Sequence, residues 1–152
     1  YGEKSKKELV RLVYKITNYL IKQHGIKMLV IACNTATCYT IKELRAKYHM
    51  PIVGTEPAIK PAAFSTKTRT IAVISTPATS KSKTVKRLIR EFAKDVKVIN
   101  IGCPGLENAV EEGSLNNTKL HSLLRNYLLP IKNSNVFAMP SCVRFPAPVL
   151  GW

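Results

Sequence analysis

What this 152-residue sequence lacks narrows its chemistry before any motif is read. Acidic residues are scarce: 9 Asp and Glu stand against 24 Lys and Arg, a formal charge of +15. No apolar run approaches the ~18 residues of a membrane span. No secretory signal opens the chain either, because its first apolar positions fall at helical spacing among lysines. The four cysteines, Cys33, Cys38, Cys103 and Cys142, include no C-x-x-C pair, and the three histidines, His24, His49 and His121, lie far from them in sequence. That argues against a standard zinc site, and no metal is expected. No G-x-G-x-x-G follows a strand and no P-loop is present, which argues against a nucleotide-binding Rossmann domain. Aromatics are only 7% of the chain, and the densest basic stretch, 81–97, carries Phe92 alone, so no aromatic-interleaved basic stripe exists.

The composition itself is that of a globular chain, with 45% apolar and 22% charged residues. A chain of this length, as one domain or two small ones, buries roughly 68–70% of its unfolded surface and needs no disulfide or metal staples. The positive charge is compatible with an acidic partner, and a non-catalytic basic module that binds nucleic acid is the alternative it raises. Its cations are spread over most of the chain, however, and read as solvated helix faces capable of non-specific polyanion binding. Without a secretory signal the cysteines are expected as free thiols in a reducing cytoplasm, each a small core hydrophobe by default. The chain begins at Tyr1 rather than Met and so reads as processed or as a piece of something longer.

Hydrophobic patterning alternates between strand and helix. Residues 5–23 place Leu9, Leu12, Val13, Ile16 and Leu20 on one face of an amphipathic helix that stops near Gly25. KMLVIA at 27–32 is a buried strand, 35–48 a helix, PIVG at 51–54 a strand, and Glu56-Pro57 opens a short helix carrying Pro61. The pattern restarts after the polar stretch STKTR at 65–69, with a strand at 70–74, a helix over 80–94, a strand at 96–102 and helices near 105–112 and 117–129. This predicts an α/β fold of two similar lobes, each a parallel sheet flanked by helices. The boundaries are 1–58, 59–135 and an atypical tail at 136–152. KMLVIACNTAT and TIAVISTPATS echo each other weakly: in both, a strand ends in a threonine-rich turn that starts a helix.

Open parallel sheets bind ligands beyond the carboxyl ends of their strands, where both turns sit. Cys33 directly follows the first strand, and Asn34, Thr35 and Thr37 lead into the helix. A helix N-terminus favours a thiolate and holds a carboxylate. Asn34, Thr35 and Thr37 either cap that helix or turn to a ligand, and Thr76 and Thr79 face the same choice in the second lobe.

The run VIACNTAT (30–37), preceded by YGEKS (1–5) and followed by PIVG and Glu56-Pro57, resembles glutamate racemase. The resemblance continues through IAVISTPATSKS (71–82), IGCPGLENAVEEG (101–113) and a helix ending in LLP (128–130), over about residues 1–135 in the family's order. The CNTAT turn is shared with the wider aspartate/glutamate racemase superfamily, so an aspartate or other amino-acid racemase is the alternative within it. The resemblance implies cofactor-independent interconversion of L- and D-glutamate in the cytoplasm, supplying D-glutamate for peptidoglycan. It assigns Cys33 as one of two catalytic cysteines and Tyr1, Gly2, Asn34, Thr35, Thr76 and Thr79 to the substrate. Glu111, in the Glu-Glu-Gly segment, is implied as an auxiliary acid. Glutamate is the implied partner, a homodimer is implied at full length, and no membrane partner is implied. Cys38 and Cys103 match no catalytic position.

Two departures matter. The family's Asp-Ser motif lies upstream of Tyr1, and the second catalytic segment, Gly-Cys-Thr-His-Tyr-Pro in the family, reads Ser141-Cys142-Val143-Arg144-Phe145-Pro146 here. Cys142 stands where the second cysteine belongs, yet its Thr and His neighbours are replaced and Pro140 interrupts the strand before it. The tail is either diverged sequence or a shifted reading frame after about residue 135, and in the second case Cys142 has no role. On this reading the 152-residue polypeptide alone is expected to have little racemase activity.

Overall fold

The computed structural model describes residues 4–112 and 118–136. The first helix, α1 (Lys6–His24), begins at a capping box: Ser5 Oγ accepts from the Glu8 N–H at 3.3 Å, and the Glu8 carboxylate accepts from the Ser5 N–H at 3.0 Å. It ends at Gly25, whose φ of 55° is the left-handed cap that a side chain would resist. The buried stripe runs Leu9, Val13, Thr17. Ile16, expected on that face, is 45% exposed, while the Thr17 hydroxyl turns inward onto the Val13 carbonyl at 2.8 Å.

Then come β1 (Leu29–Ile31), α2 (Asn34–Lys47), β2 (Ile52–Gly54) and α3 (Ile59–Ser65). β1 and β2 pair in parallel, with Ile31 opposite Gly54. Leu29, Ile31 and Ile52 pack with Val13 of α1 and Ala36, Ile41 and Leu44 of α2 into one core. On the opposite face Val30 and Val53 are 59% and 48% exposed, so among the described residues this sheet is covered on one side. The short helix begins later than its Glu56-Pro57 signal, at Ile59, and puts Pro61 in its first turn, where a missing N–H costs nothing.

The second half builds β3 (Thr70–Ser75), α4 (Pro77–Ser80), α5 (Lys83–Phe92), β4 (Lys97–Gly102), α6 (Leu106–Glu111) and α7 (Thr118–Leu128), which runs into a 3₁₀ turn, Leu129–Ile131. β3 and β4 are parallel from Thr70–Lys97 to Ser75–Gly102. Every residue of β3 is buried, because helices cover both faces. Ile71 and Val73 meet α3 and α5 through Ile59, Val85 and Leu88, whereas Ile74 meets α6 and α7 through Leu106, Ala109, Leu120 and Leu124. The helix expected over 80–94 begins at Lys83 as α5, and a separate short helix, α4, forms ahead of it in the turn after β3. Ser82 adopts an extended conformation and caps α5, its Oγ accepting from the Val85 N–H at 3.1 Å, while Pro77 starts α4. Among the described residues no helix is long and apolar enough to cross a membrane. The parallel α/β architecture is the one the alternation predicts, and it brings the ends of β1 and β3 to a shared junction through α2 and α4.

Candidate active site at the strand ends

Extended backbone continues from β1 through Cys33 (φ −130°, ψ 119°), so helical geometry begins at Asn34 and Cys33 itself is the N-cap. Its half-buried sulfur accepts from the Ala36 N–H at 3.5 Å. None of the three residues expected as caps serves as one. The Thr37 hydroxyl instead turns back onto the Ile31 carbonyl at 3.2 Å, sharing it with Thr55, also at 3.2 Å. The Asn34 amide, with its nitrogen toward the loop after β2, donates to the Thr55 and Glu56 carbonyls at 3.2 Å each. These bonds fix the turn on which the thiol sits.

Thr35 leaves its own helix end entirely. Its hydroxyl lies 3.1 Å from that of Thr76 and 2.9 Å from that of Thr79, and those two are 3.1 Å apart. Thr76 also caps α4, accepting from the Thr79 N–H at 3.2 Å. All three threonines are buried. A hydroxyl has one proton to donate, so a closed ring of three uses every donor internally. A ligand carboxylate therefore recruits these hydroxyls only by opening the ring.

The remaining assignments divide. Glu111 is exposed at the last position of α6, and among the described residues no hydrogen bond or ion pair joins it to the Cys33–Thr35–Thr76–Thr79 group. Tyr1, Gly2 and Cys142 lie outside the described residues. Cys38 is half-buried and Cys103 buried, as core thiols should be. Desolvation is the largest influence on both: it pushes the Cys38 thiol up against opposing hydrogen bonds from Ser82 and Thr84, and the Cys103 thiol up to about 11. Among the described residues no three His, Cys, Asp or Glu side chains are grouped to hold a metal ion.

Cys103 yields a prediction with a definite sign. Its folded value of about 11 lies above the ordinary 9.0, so the folded protein holds that proton more tightly than the unfolded chain. The stability linked to it is complete below the unfolded value and is lost as pH rises through the folded one. Urea unfolding followed between about pH 9 and 11 should show a decline in wild type that is smaller in Cys103→Ala. Identical pH slopes in the two proteins would refute the assignment.

Sequence reasoning missed three cross-lobe ties. The Tyr39 hydroxyl donates to the Ala78 carbonyl at 2.8 Å, the Thr84 hydroxyl to the Cys38 carbonyl at 3.4 Å, and Arg87 to both oxygens of Glu56 at 2.8 and 3.0 Å. Only the i, i+4 relation of Tyr39 to Thr35 hints at the first, by placing both on one face of α2.

A sequence model of the Asp/Glu/Hydantoin racemase family matches residues 2–125. The chain belongs to that family. The glutamate racemase of Aliarcobacter butzleri is 38% identical over 150 residues, covering 96% of this chain and 58% of its own length. The chain thus spans little more than half of that relative. The Bacillus anthracis glutamate racemase RacE1 superimposes with a TM-score of 0.78 at 29% identity, over 91% of this chain and 52% of that one. The Escherichia coli glutamate racemase, solved with L-glutamate and the activator UDP-MurNAc-Ala, gives 0.69 at 27%, over 93% of this chain and 63% of that one. As a member of the Asp/Glu/Hydantoin racemase family, the chain holds a half-buried thiol just past the end of β1, Cys33, two residues from a threonine that joins both sheets.

Proposed function

We propose that this chain is the Cys33-bearing portion of a glutamate racemase that interconverts L- and D-glutamate without a cofactor. The observation that carries the reading is the pairing of a half-buried N-cap thiol with a buried hydroxyl triangle formed from the strand ends of both sheets. The α-hydrogen of glutamate is a very weak acid. One thiolate takes it from one face of the α-carbon, and a second thiol returns a proton to the other. Cys33 supplies one thiol, and Cys142 occupies the sequence position of the second. Asn34, Thr35, Thr76 and Thr79 bind the substrate, with Tyr1 and Gly2 lining the pocket and Glu111 as an auxiliary acid. Donors held in place before the reaction stabilise charge as it develops on the α-carboxylate.

This reading places the protein in the cytoplasm, where thiols stay reduced, and makes D-glutamate for peptidoglycan its product. It also keeps the two lobes at 1–58 and 59–135. The L-glutamate bound by the Escherichia coli relative supports glutamate over aspartate. The test is substrate profiling of the full gene product by deuterium incorporation at the α-carbon. Exchange and racemisation of glutamate, with neither for aspartate, is the expected result. Turnover of aspartate in preference to glutamate would replace this reading with an aspartate racemase.

A further inference from the structure

The turn that carries Thr76 and Thr79 has two helical backbone bonds of its own, from the Ser80 N–H to the Thr76 carbonyl at 3.0 Å and from the Lys81 N–H to the Pro77 carbonyl at 3.3 Å. α4 is four residues long, too short to persist on internal hydrogen bonds. Because Ser82 breaks away to cap α5, its N–H donates to the Thr79 carbonyl at 3.0 Å. The Ala78 carbonyl instead accepts the Tyr39 hydroxyl from the neighbouring helix, at 2.8 Å. Ala78 lies between Thr76 and Thr79, and Tyr39 is one helical turn beyond Thr35. Burial raises the Tyr39 phenol, so it remains a donor across neutral pH.

A substrate carboxylate makes this anchor necessary. In the free protein the three hydroxyls hold α2 and α4 together through one another. Opening that ring to receive a carboxylate breaks the threonine contact at the moment the turn has to stay in place. The Tyr39–Ala78 bond uses none of the ring's atoms and survives the opening. We propose that Tyr39 is a positioning residue: through the Ala78 carbonyl it holds the Thr76–Thr79 turn against Thr35 while the hydroxyls change partners. The substrate half of this statement rests on the glutamate reading; the structural half does not.

Tyr39→Phe removes the hydroxyl and keeps the ring's packing. Two measurements decide the matter, amide exchange on the 152-residue chain and the glutamate titration on the full gene product. In the free protein, amide hydrogen exchange at Thr79 and Lys81 should quicken about fivefold while Ile71 to Ile74 of β3 keep their protection. In threonine-methyl NMR titrations with L-glutamate, the dissociation constant should rise about tenfold, as expected for losing one hydrogen bond that orders the site. Unchanged exchange at Thr79 and Lys81 overturns the proposal, and so does a uniform loss of protection that includes β3. An unchanged glutamate affinity overturns it as well. If wild type gives no glutamate response but the local exchange effect is present, the glutamate reading fails and Tyr39 keeps its role in the turn.

Discussion

Cys33→Ser is expected to lower glutamate racemisation by the full gene product about a thousandfold without weakening the fold. A positioned acid–base group contributes typically 10²–10⁴ in rate, and serine, a far weaker acid than cysteine, cannot take the α-hydrogen near neutral pH. The choice of serine separates chemistry from structure. Cys33 caps α2 through a 3.5 Å bond from the Ala36 N–H, and serine is among the best N-cap residues, so the start of α2 is kept or improved. Neighbouring bonds do not pass through the sulfur: Thr37 remains on Ile31, and Asn34 on Thr55 and Glu56. Circular dichroism of the substrate measures racemisation, and thermal unfolding of the same samples measures stability. Activity within tenfold of wild type would remove Cys33 from the mechanism. A large fall in melting temperature would instead show that the thiol's role is structural.

Hydrophobic periodicity made the elements legible because it is local. The apolar run before Cys33 and the run TIAVIS both read as strands of parallel sheets, and the structure pairs each with the next strand along, though only the second is buried on both faces. The start of α5 was harder to see. Two rules compete there: Lys83–Phe92 continues an amphipathic pattern, while Ser82 is a strong cap signal inside it, and the cap prevails. The threonine ring was out of reach for another reason. Thr35 and Thr79 are 44 residues apart, and nothing in either segment encodes which helix end the other will meet. Family resemblance pointed to the same residues as substrate ligands, but not to their bonding with one another. Tyr39 escaped both approaches, since its partner is a backbone carbonyl that becomes available only because α4 and α5 separate.

The weak echo between the two halves acquires a physical meaning at their second strands. β2 and β4 both end in glycine, and each glycine pairs with the last residue of the preceding strand, Gly54 with Ile31 and Gly102 with Ser75. Neither residue has the positive φ that glycine alone adopts freely; what each provides is room. A Cβ on Gly54 would lie 2.5 Å from Thr37 Cγ2, and one on Gly102 would lie 2.5 Å from Ser80 Oγ and 3.0 Å from Pro77 Cα. The strand end is kept bare so that the helix leaving the functional turn can lie against it. Gly102→Val is therefore expected to destabilise the protein by about 3 kcal/mol, the upper part of the usual overpacking range, despite valine's preference for strands. Ser80 has little freedom to yield, because its hydroxyl donates to the Pro77 carbonyl at 3.0 Å and its carbonyl accepts from the Asn100 amide at 2.8 Å. The strain must move α4 as a body, carrying Thr76 and Thr79 away from Thr35, so glutamate affinity should fall together with stability. Adding Ser80→Gly separates the two contacts. It removes the closer, side-chain clash and leaves the backbone one, so the double variant should recover part of the lost stability and not all of it. Urea midpoints and the glutamate titration read both effects. A Gly102→Val protein as stable as wild type would mean that the close approach of α4 to β4 is not what places the threonine turn.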